Sequence, residues 1–226
     1  CSCSKDATLK LLQIEMETEG ALRIQVHRSF TCSDPPLSAC VLSSGAKFAI
    51  GASWDNYVYS FSVPNACAIC KLNSHDDGVS DLQLNAAGTR LVTGAWDATV
   101  KIWEVDRGRI HSTPLVEFYD HENSVQSVRM DPTTTYVAAG AEDGTLIVWE
   151  IASESILFSV LASPSGRTVT SIRWISLTTP SVMCSTGDGF IRIYDLTGAA
   201  VAWIQVIGRT FLCAWREPYL MHGYRV

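Results

Sequence analysis

Apolar and polar residues alternate along this chain in short runs, as in strands that bury one face. No stretch repeats at the three-to-four spacing of an amphipathic helix. Five of the runs begin on an acidic turn: DATLKLL from Asp6, DNYVYSF from Asp55, DATVKIW from Asp97, DGTLIVW from Asp143 and DGFIRIY from Asp188. The aspartates lie 49, 42, 46 and 45 residues apart. Each run is rich in β-branched and aromatic residues and ends on a large side chain, which reads as a turn leading into a strand. A near-constant period of this length marks a repeat architecture, in which no unit buries its apolar face alone.

Upstream of the later aspartates a second layout returns. HDDGVSDLQLNAAGTRLVTGAWD and HENSVQSVRMDPTTTYVAAGAED each set a His 22 residues before the Asp, with two alternating strands split by a polar turn. SDPPLSACVLSSGAKFAIGASWD repeats this with Ser33 in the His position, and TVTSIRWISLTTPSVMCSTGD with one extra loop residue. Each repeat thus predicts about four strands. The layout resembles the WD-repeat family, whose members build β-propellers from four-stranded blades. The naming dipeptide stands here as Trp103-Glu104, Trp149-Glu150 and Tyr194-Asp195, while the first two repeats end on Leu12 and Phe61.

The resemblance implies an all-β fold: a WD-repeat β-propeller segment of four complete four-stranded blades plus two half blades, a fragment of a larger propeller. Blade limits are expected near 33–73, 74–119, 120–162 and 163–207, with partial blades at 1–32 and 208–226. QIEMETEG and EVDRGRIHSTPLVEFYD are expected as long connections between third and fourth strands. The phrases GASWDNYVYSFSV, HDDGVSDLQL, GAWDATVKIW and FLCAWREPYLMHG further resemble the carboxy-terminal propeller of BEACH-domain proteins. That implies a cytoplasmic adaptor in receptor signalling or membrane traffic.

Composition narrows the partners. A chain of 226 residues with 47% hydrophobic and 18% charged residues has the make-up of a folded protein. The net charge of −6, with no stripe of Lys or Arg, argues against nucleic acid. No apolar run approaches the roughly 20 residues of a membrane helix, so a direct transmembrane segment is not expected and any membrane association is peripheral, through the parent protein. The start at Cys1 without a Met is expected of a piece of a longer protein. Eight scattered cysteines lack the density of a disulfide scaffold and fit reduced thiols in the cytoplasm.

Candidate chemistry is sparse. Cys67 and Cys70 form a C-x-x-C, but on a strand residues three apart point to opposite faces, so the pair is not expected to hold a metal or close a disulfide. Cys1 and Cys3 are expected on another blade. His75, Thr93 and Asp97 suggest a catalytic triad, yet with Trp103 they match the family's structural tetrad, a buried chain of hydrogen bonds that stiffens a blade. The other blades lack it: His121 and Asp143 face Ala139, and Gly51 and Cys184 take the hydroxyl position elsewhere. HENSV at His121 misses H-E-x-x-H, with Val125 in place of the second His on a segment that reads as a strand. The chain holds no Walker sequence, dinucleotide fingerprint or G-x-S-x-G elbow. Neither a catalytic residue nor a metal or cofactor is expected.

Binding has better candidates. Trp54 and Trp96 each precede a repeat aspartate, which puts them on the turns between second and third strands of adjacent blades. In this family such turns open on the face that usually receives partners, and tryptophan there is a favoured anchor. Asp76, Glu122 and Glu142, with Asp77 and Asp120, make the same rim acidic, which suits a basic protein or peptide ligand. The sequence therefore points to a non-catalytic interaction scaffold. A generic assembly scaffold or ubiquitin-ligase substrate receptor is the alternative within that class. An enzyme on a propeller is the alternative outside it, and would need polar residues from several blades converging on the channel.

Overall fold

The computed structural model describes residues 1–16, 22–32, 36–176 and 179–206. Ser33 and the half blade expected at 208–226 lie outside the described residues. Each repeat aspartate works in the same way: its carboxylate turns back onto the chain and accepts the N–H two residues on. The distances are 3.0 Å at Thr8, 3.3 Å at Tyr57, 2.9 Å at Thr99, 2.9 Å at Thr145 and 3.3 Å at Phe190. The residue between is left-handed in all five turns, with φ of 59° at Ala7, 71° at Asn56, 64° at Ala98, 87° at Gly144 and 86° at Gly189. The carboxylate thus fixes the sharp turn that launches each third strand.

Every described strand belongs to one of five antiparallel sheets. The first holds β1 (Ser2–Cys3), β2 (Thr8–Met16) and β3 (Leu22–Thr31). The second orders β4 (Leu37–Leu42), β5 (Phe48–Ser53), β6 (Tyr57–Ser62) and β7 (Cys67–Asn73). The third holds β8 (Val79–Leu84), β9 (Arg90–Ala95) and β10 (Val100–Asp106), and its outer position is split between β11 (Arg109–Ile110) and β12 (Val116–Phe118), which both pair with β10. The fourth runs β13 (Val125–Met130), β14 (Tyr136–Ala141), β15 (Thr145–Glu150) and β16 (Ser155–Leu161). The fifth runs β17 (Val169–Ser176), β18 (Pro180–Thr186), β19 (Phe190–Asp195) and β20 (Ala200–Gln205). These are four complete blades and one partial blade.

Side chains pack between blades, one apolar cluster at each junction. Leu9, Leu11 and Phe30 meet Tyr59, Phe61 and Val63; Ile50 and Val58 meet Leu82 and Trp103. Val92 and Ile102 meet Val128 and Trp149; Leu146 and Val148 meet Ile172 and Tyr194. The junctions are tight enough to select glycine. A Cβ on Gly94 would lie 2.7 Å from Val125 Cγ1, and one on Gly140 2.3 Å from Val169 Cγ1. Both glycines sit on second strands, against the first residue of the next blade's inner strand.

Inner strands β4, β8, β13 and β17 each carry a register shift after their first residue, which leaves Ser38, Ser80, Gln126 and Thr170 at the extra position. At two of these the hydroxyl bridges blades. Ser80 Oγ reaches the carbonyl of Gly94 at 2.9 Å and that of Val125 in the next blade at 2.6 Å, and Ser38 Oγ bonds likewise to Ala52 and Val79. Asp81 extends the tie, accepting from Ser127 Oγ at 3.0 Å and Val128 N at 3.1 Å and pairing with Arg129. These strands line a cavity of about 560 Å³ bordered by Arg129, Arg173 and Trp174.

Three expectations need correction. EVDRGRIHSTPLVEFYD is not one long connection: residues 104–106 end β10, and Arg109–Ile110 and Val116–Phe118 are strands that both pair with β10. Gln13–Met16 is not connection but strand: β2 runs on to pair Met16 with Leu22, and Leu12, Ile14, Met16, Leu22, Ile24 and Val26 are all exposed. Cys67 and Cys70 do not face opposite ways. A register shift at Ile69 sets Cys67 across from Ser62 and Cys70 across from Ser60, which lie two apart on β6 and share a face.

Candidate functional site

The four tetrad residues form one continuous chain of hydrogen bonds. Trp103 Nε1 donates to Thr93 Oγ1 at 2.9 Å, Thr93 Oγ1 meets His75 Nε2 at 2.7 Å, and His75 Nδ1 meets Asp97 Oδ2 at 2.9 Å. One set of protons satisfies them all: a neutral imidazole protonated at Nδ1 donates to the carboxylate, and the Thr hydroxyl donates to Nε2. Asp97 also accepts from Asp76 N at 3.0 Å and Thr99 Oγ1 at 2.7 Å. Burial would raise its pKa, but the His75 and Thr99 contacts prevail and hold it well below the usual carboxylate range. Thr93 has no exposed surface and His75 only 3%. The hydroxyl is thus enclosed on all sides within a chain of hydrogen bonds that ties β9, β10 and the loop before β8 together.

The neighbouring blades solve the same problem differently. In the fourth, Ala139 stands where Thr93 does, and His121 Nε2 is buried without a hydrogen-bond partner. The Trp149 indole turns instead to Asp120 Oδ2, at 2.7 Å. Asp120 is thus committed to a neighbour as well as being part of the rim. In the fifth blade Tyr194 keeps the aromatic position, and Arg192 takes up the aspartate instead: its guanidinium bonds Asp188 Oδ2 at 3.0 Å and Thr186 Oγ1 at 2.6 Å, and Ser163 Oγ reaches Asp188 at 3.0 Å. In the second, Tyr59 bonds Asp55, and the Lys71 ammonium lies 4.0 Å from the Tyr57 ring centre. Sequence reading passed over Arg192 and Lys71. No single sequence position marks them: Lys71 follows its aspartate by 16 residues and Arg192 by four, and Lys101, four after Asp97, pairs with Glu117 instead.

Trp54 and Trp96 come together. Their ring centres are 5.3 Å apart at 44°, across the boundary between second and third blades. Main-chain bonds pin both turns: Trp54 N donates to Pro36 O at 3.1 Å and Trp96 N to Gly78 O at 3.0 Å. Their exposure differs. Trp54 is 40% exposed, whereas Trp96 is half-buried over Gly78, where an added Cβ would lie 2.8 Å from its ring. Trp96 is therefore partly a packing residue that backs the open face of Trp54.

Carboxylates share this face with the pair. Asp76, Asp77, Glu122 and Glu142 are exposed on the loops and turns of this face. Asp77 Oδ1 accepts from Gly78 N at 2.7 Å, which fixes the loop beneath the Trp96 ring. The acidic run ends at the fifth blade, where exposed Arg167 occupies the loop before β17. His121 and Glu122 stand in a loop and Val125 begins β13, so HENSV has no helix on which to gather ligands. Among the described residues, no three His, Cys, Asp or Glu are arranged to hold a metal ion.

This architecture matches known repeats. Residues 67–104 and 112–150 match the family model described as WD domain, G-beta repeat. Those two stretches, about a third of the chain, are similar to WD40 repeats. The first begins on β7, so it straddles two sheets, as expected when the outer strand of one blade opens the next sequence repeat. Over 85 residues, 38% of this chain, the sequence is 29% identical to Transducin-like enhancer protein 2 of Mus musculus. Over 86 residues, 37% of the chain, it is 28% identical to the Periodic tryptophan protein 2 homolog of Schizosaccharomyces pombe. The matches cover 11% and 10% of those proteins.

Among solved structures, 92% of the chain superposes on the Chaetomium thermophilum Sqt1 bound to the N-terminus of the ribosomal protein L10, with a TM-score of 0.77 and 16% identity. The superposition spans 58% of that chain, and at this identity the likeness is one of fold. The fold is a WD-repeat β-propeller segment, all-β throughout its described residues.

Proposed function

We propose that this segment is a non-catalytic protein-interaction scaffold whose rim around Trp54 and Trp96 holds a basic protein segment. The observation that carries the reading is the indole pair itself, in contact across two blades, on a face whose loops and turns also carry the exposed Asp76, Asp77, Glu122 and Glu142. A half-exposed indole backed by a second ring offers apolar area at small entropic cost, and the carboxylates favour Lys or Arg beside it. The solved Sqt1 structure, described as bound to the N-terminus of a ribosomal protein, supports the reading by showing a propeller-type scaffold with a peptide ligand.

The finer form is an adaptor of the BEACH-domain type, acting from the cytoplasm in receptor signalling or membrane traffic. It rests on phrases such as GASWDNYVYSFSV and GAWDATVKIW. It is tested by the parent sequence, in which further blades and a BEACH domain should lie upstream of Cys1.

Binding is tested with the 226-residue chain and a set of decapeptides graded from Lys- and Arg-rich to neutral, read by calorimetry. Basic peptides should bind more tightly. Trp54→Ala should weaken them roughly 10- to 30-fold, as loss of an aromatic anchor does, with the melting temperature unchanged. Joint replacement of Asp76, Glu122 and Glu142 by the amides should weaken binding and flatten its salt dependence. Equal binding of neutral and basic peptides, or indifference to Trp54→Ala, would overturn the reading.

A further inference from the structure

The fold gathers cysteines that the sequence scatters. Strand β1 is paired to β2 in the first blade, with Cys3 opposite Leu9, and β4 of the second blade runs beside it. Cys40 of β4 thereby meets both β1 cysteines. Its sulfur lies 3.5 Å from Cys1 Sγ, and its thiol is hydrogen-bonded to Cys3. Cys32, which follows β3, packs on the same apolar cluster as Cys3 and Cys40. All are free thiols; Cys1 is exposed and Cys3 and Cys40 are half-buried, within reach of a small oxidant.

A disulfide needs sulfurs about 2.05 Å apart, so the 3.5 Å separation of Cys40 and Cys1 requires a shift on the scale of a side-chain rotation. Reactivity is divided between the thiols. The hydrogen bond from Cys40 holds the Cys3 pKa down to about 7, against the opposing effect of burial, while the Cys40 pKa is raised. Burial pushes Cys32 up to about 11 and Cys184 up to about 12, which keeps those two protonated and inert.

We propose that Cys3 and Cys40, with Cys1 beside them, form a peroxide-oxidisable dithiol whose disulfide fastens the first blade to the second. In the first step the Cys3 thiolate attacks a hydroperoxide oxygen. The O–O bond breaks, and Cys3 becomes a sulfenic acid as hydroxide departs. In the second, Cys40 sulfur attacks the sulfenic sulfur and the S–S bond forms. The S–O bond breaks, and the Cys40 proton leaves with the oxygen as water. Two thiols are oxidised and one peroxide is reduced, so the electrons balance.

The test treats the folded chain with hydrogen peroxide, alkylates the remaining thiols, and maps tryptic peptides without reduction. Residues 1–5 should appear disulfide-linked to residues 29–47, with two fewer alkylatable thiols per chain. Cys32→Ser should leave the link intact, which excludes the other cysteine of that second peptide. Cys40→Ser should abolish it and leave a sulfenic acid at Cys3 that dimedone traps. Cys3→Ser should slow oxidation about ten-fold, since it removes the thiol whose pKa the Cys40 hydrogen bond lowers. Circular dichroism confirms that each variant remains folded. Sulfinic or sulfonic acid at Cys3 without a cross-link would overturn the proposal, as would a link that survives Cys40→Ser or forms at an unchanged rate in Cys3→Ser.

Discussion

His75 Nε2 and Thr93 Oγ1 meet at 2.7 Å, and one blade further on His121 holds the equivalent station with Ala139 across from it. The fourth blade therefore keeps the histidine of the brace without its hydroxyl partner, leaving Nε2 buried and unpaired. Such an atom carries the desolvation cost of burial without a well-formed hydrogen bond to offset it, the Ala139 main chain giving only partial compensation.

Supplying the hydroxyl should repair the defect. Ala139→Ser adds one oxygen facing His121 and should stabilise the chain by about 1 kcal/mol, the usual net gain of a new buried hydrogen bond. Chemical denaturation measures this. A loss of stability would mean that the site is packed too closely for even one added atom.

The same histidine should make stability depend on pH. Burial lowers the His121 pKa from 6.5 to about 4, against the pull of Asp143, the Ala139 main chain and Asp120. Between those values the unfolded chain takes up a proton that the folded chain refuses. Stability should therefore fall as pH drops from about 6.5 to about 4, by roughly 3 kcal/mol at most. The difference between the native chain and His121→Gln, followed by urea titration at each pH, isolates this contribution, and that difference should stop changing above pH 7.

Asp97 should act in the opposite sense and at lower pH. Its carboxyl pKa lies below its ordinary value of 3.8, so it contributes its full stabilisation above about pH 4 and loses it as the solution becomes more acidic. Asp97→Ala strands His75, Asp76 N and Thr99 and should cost about 1–3 kcal/mol at neutral pH. A melting temperature that does not change would refute the bracing role.

The interblade glycines give a steric test. A methyl group on Gly140 would lie 2.3 Å from Val169, at the base of an inner strand with no room to retreat. Gly140→Ala should destabilise by about 1–3 kcal/mol, as overpacking does. The paired change Gly140→Ala with Val169→Ala should recover part of that loss, and thermal unfolding of the two variants decides it.

Much of this was legible in the residues. The repeat aspartates, the alternation after them and the His-to-Asp interval placed the strands, the turns and the tetrad, because each reflects a local rule of backbone geometry or hydrogen bonding. The register shifts were not legible. Nothing in Ser38, Ser80 or Thr170 distinguishes an inserted position from an ordinary strand residue, and one such shift at Ile69 was enough to bring Cys67 and Cys70 to one side. Proximity between blades was hidden for the same reason. Cys3 and Cys40 lie in different repeats, and their meeting depends on how one sheet leans on the next. The unequal exposure of Trp54 and Trp96 turns on Gly78, a single missing side chain beneath one ring.

The hydroxyl ties of Ser38 and Ser80 have a consequence for how the molecule loosens. They couple neighbouring sheets only along the axis, while the outermost strand β20 is exposed along its whole length and β16 along most of it. Opening should then spread radially, from perimeter to hub. Amide hydrogens of β16 and β20 should exchange with deuterium well before those of β8 and β13, giving a gradient of protection that runs across each blade rather than from one blade to the next.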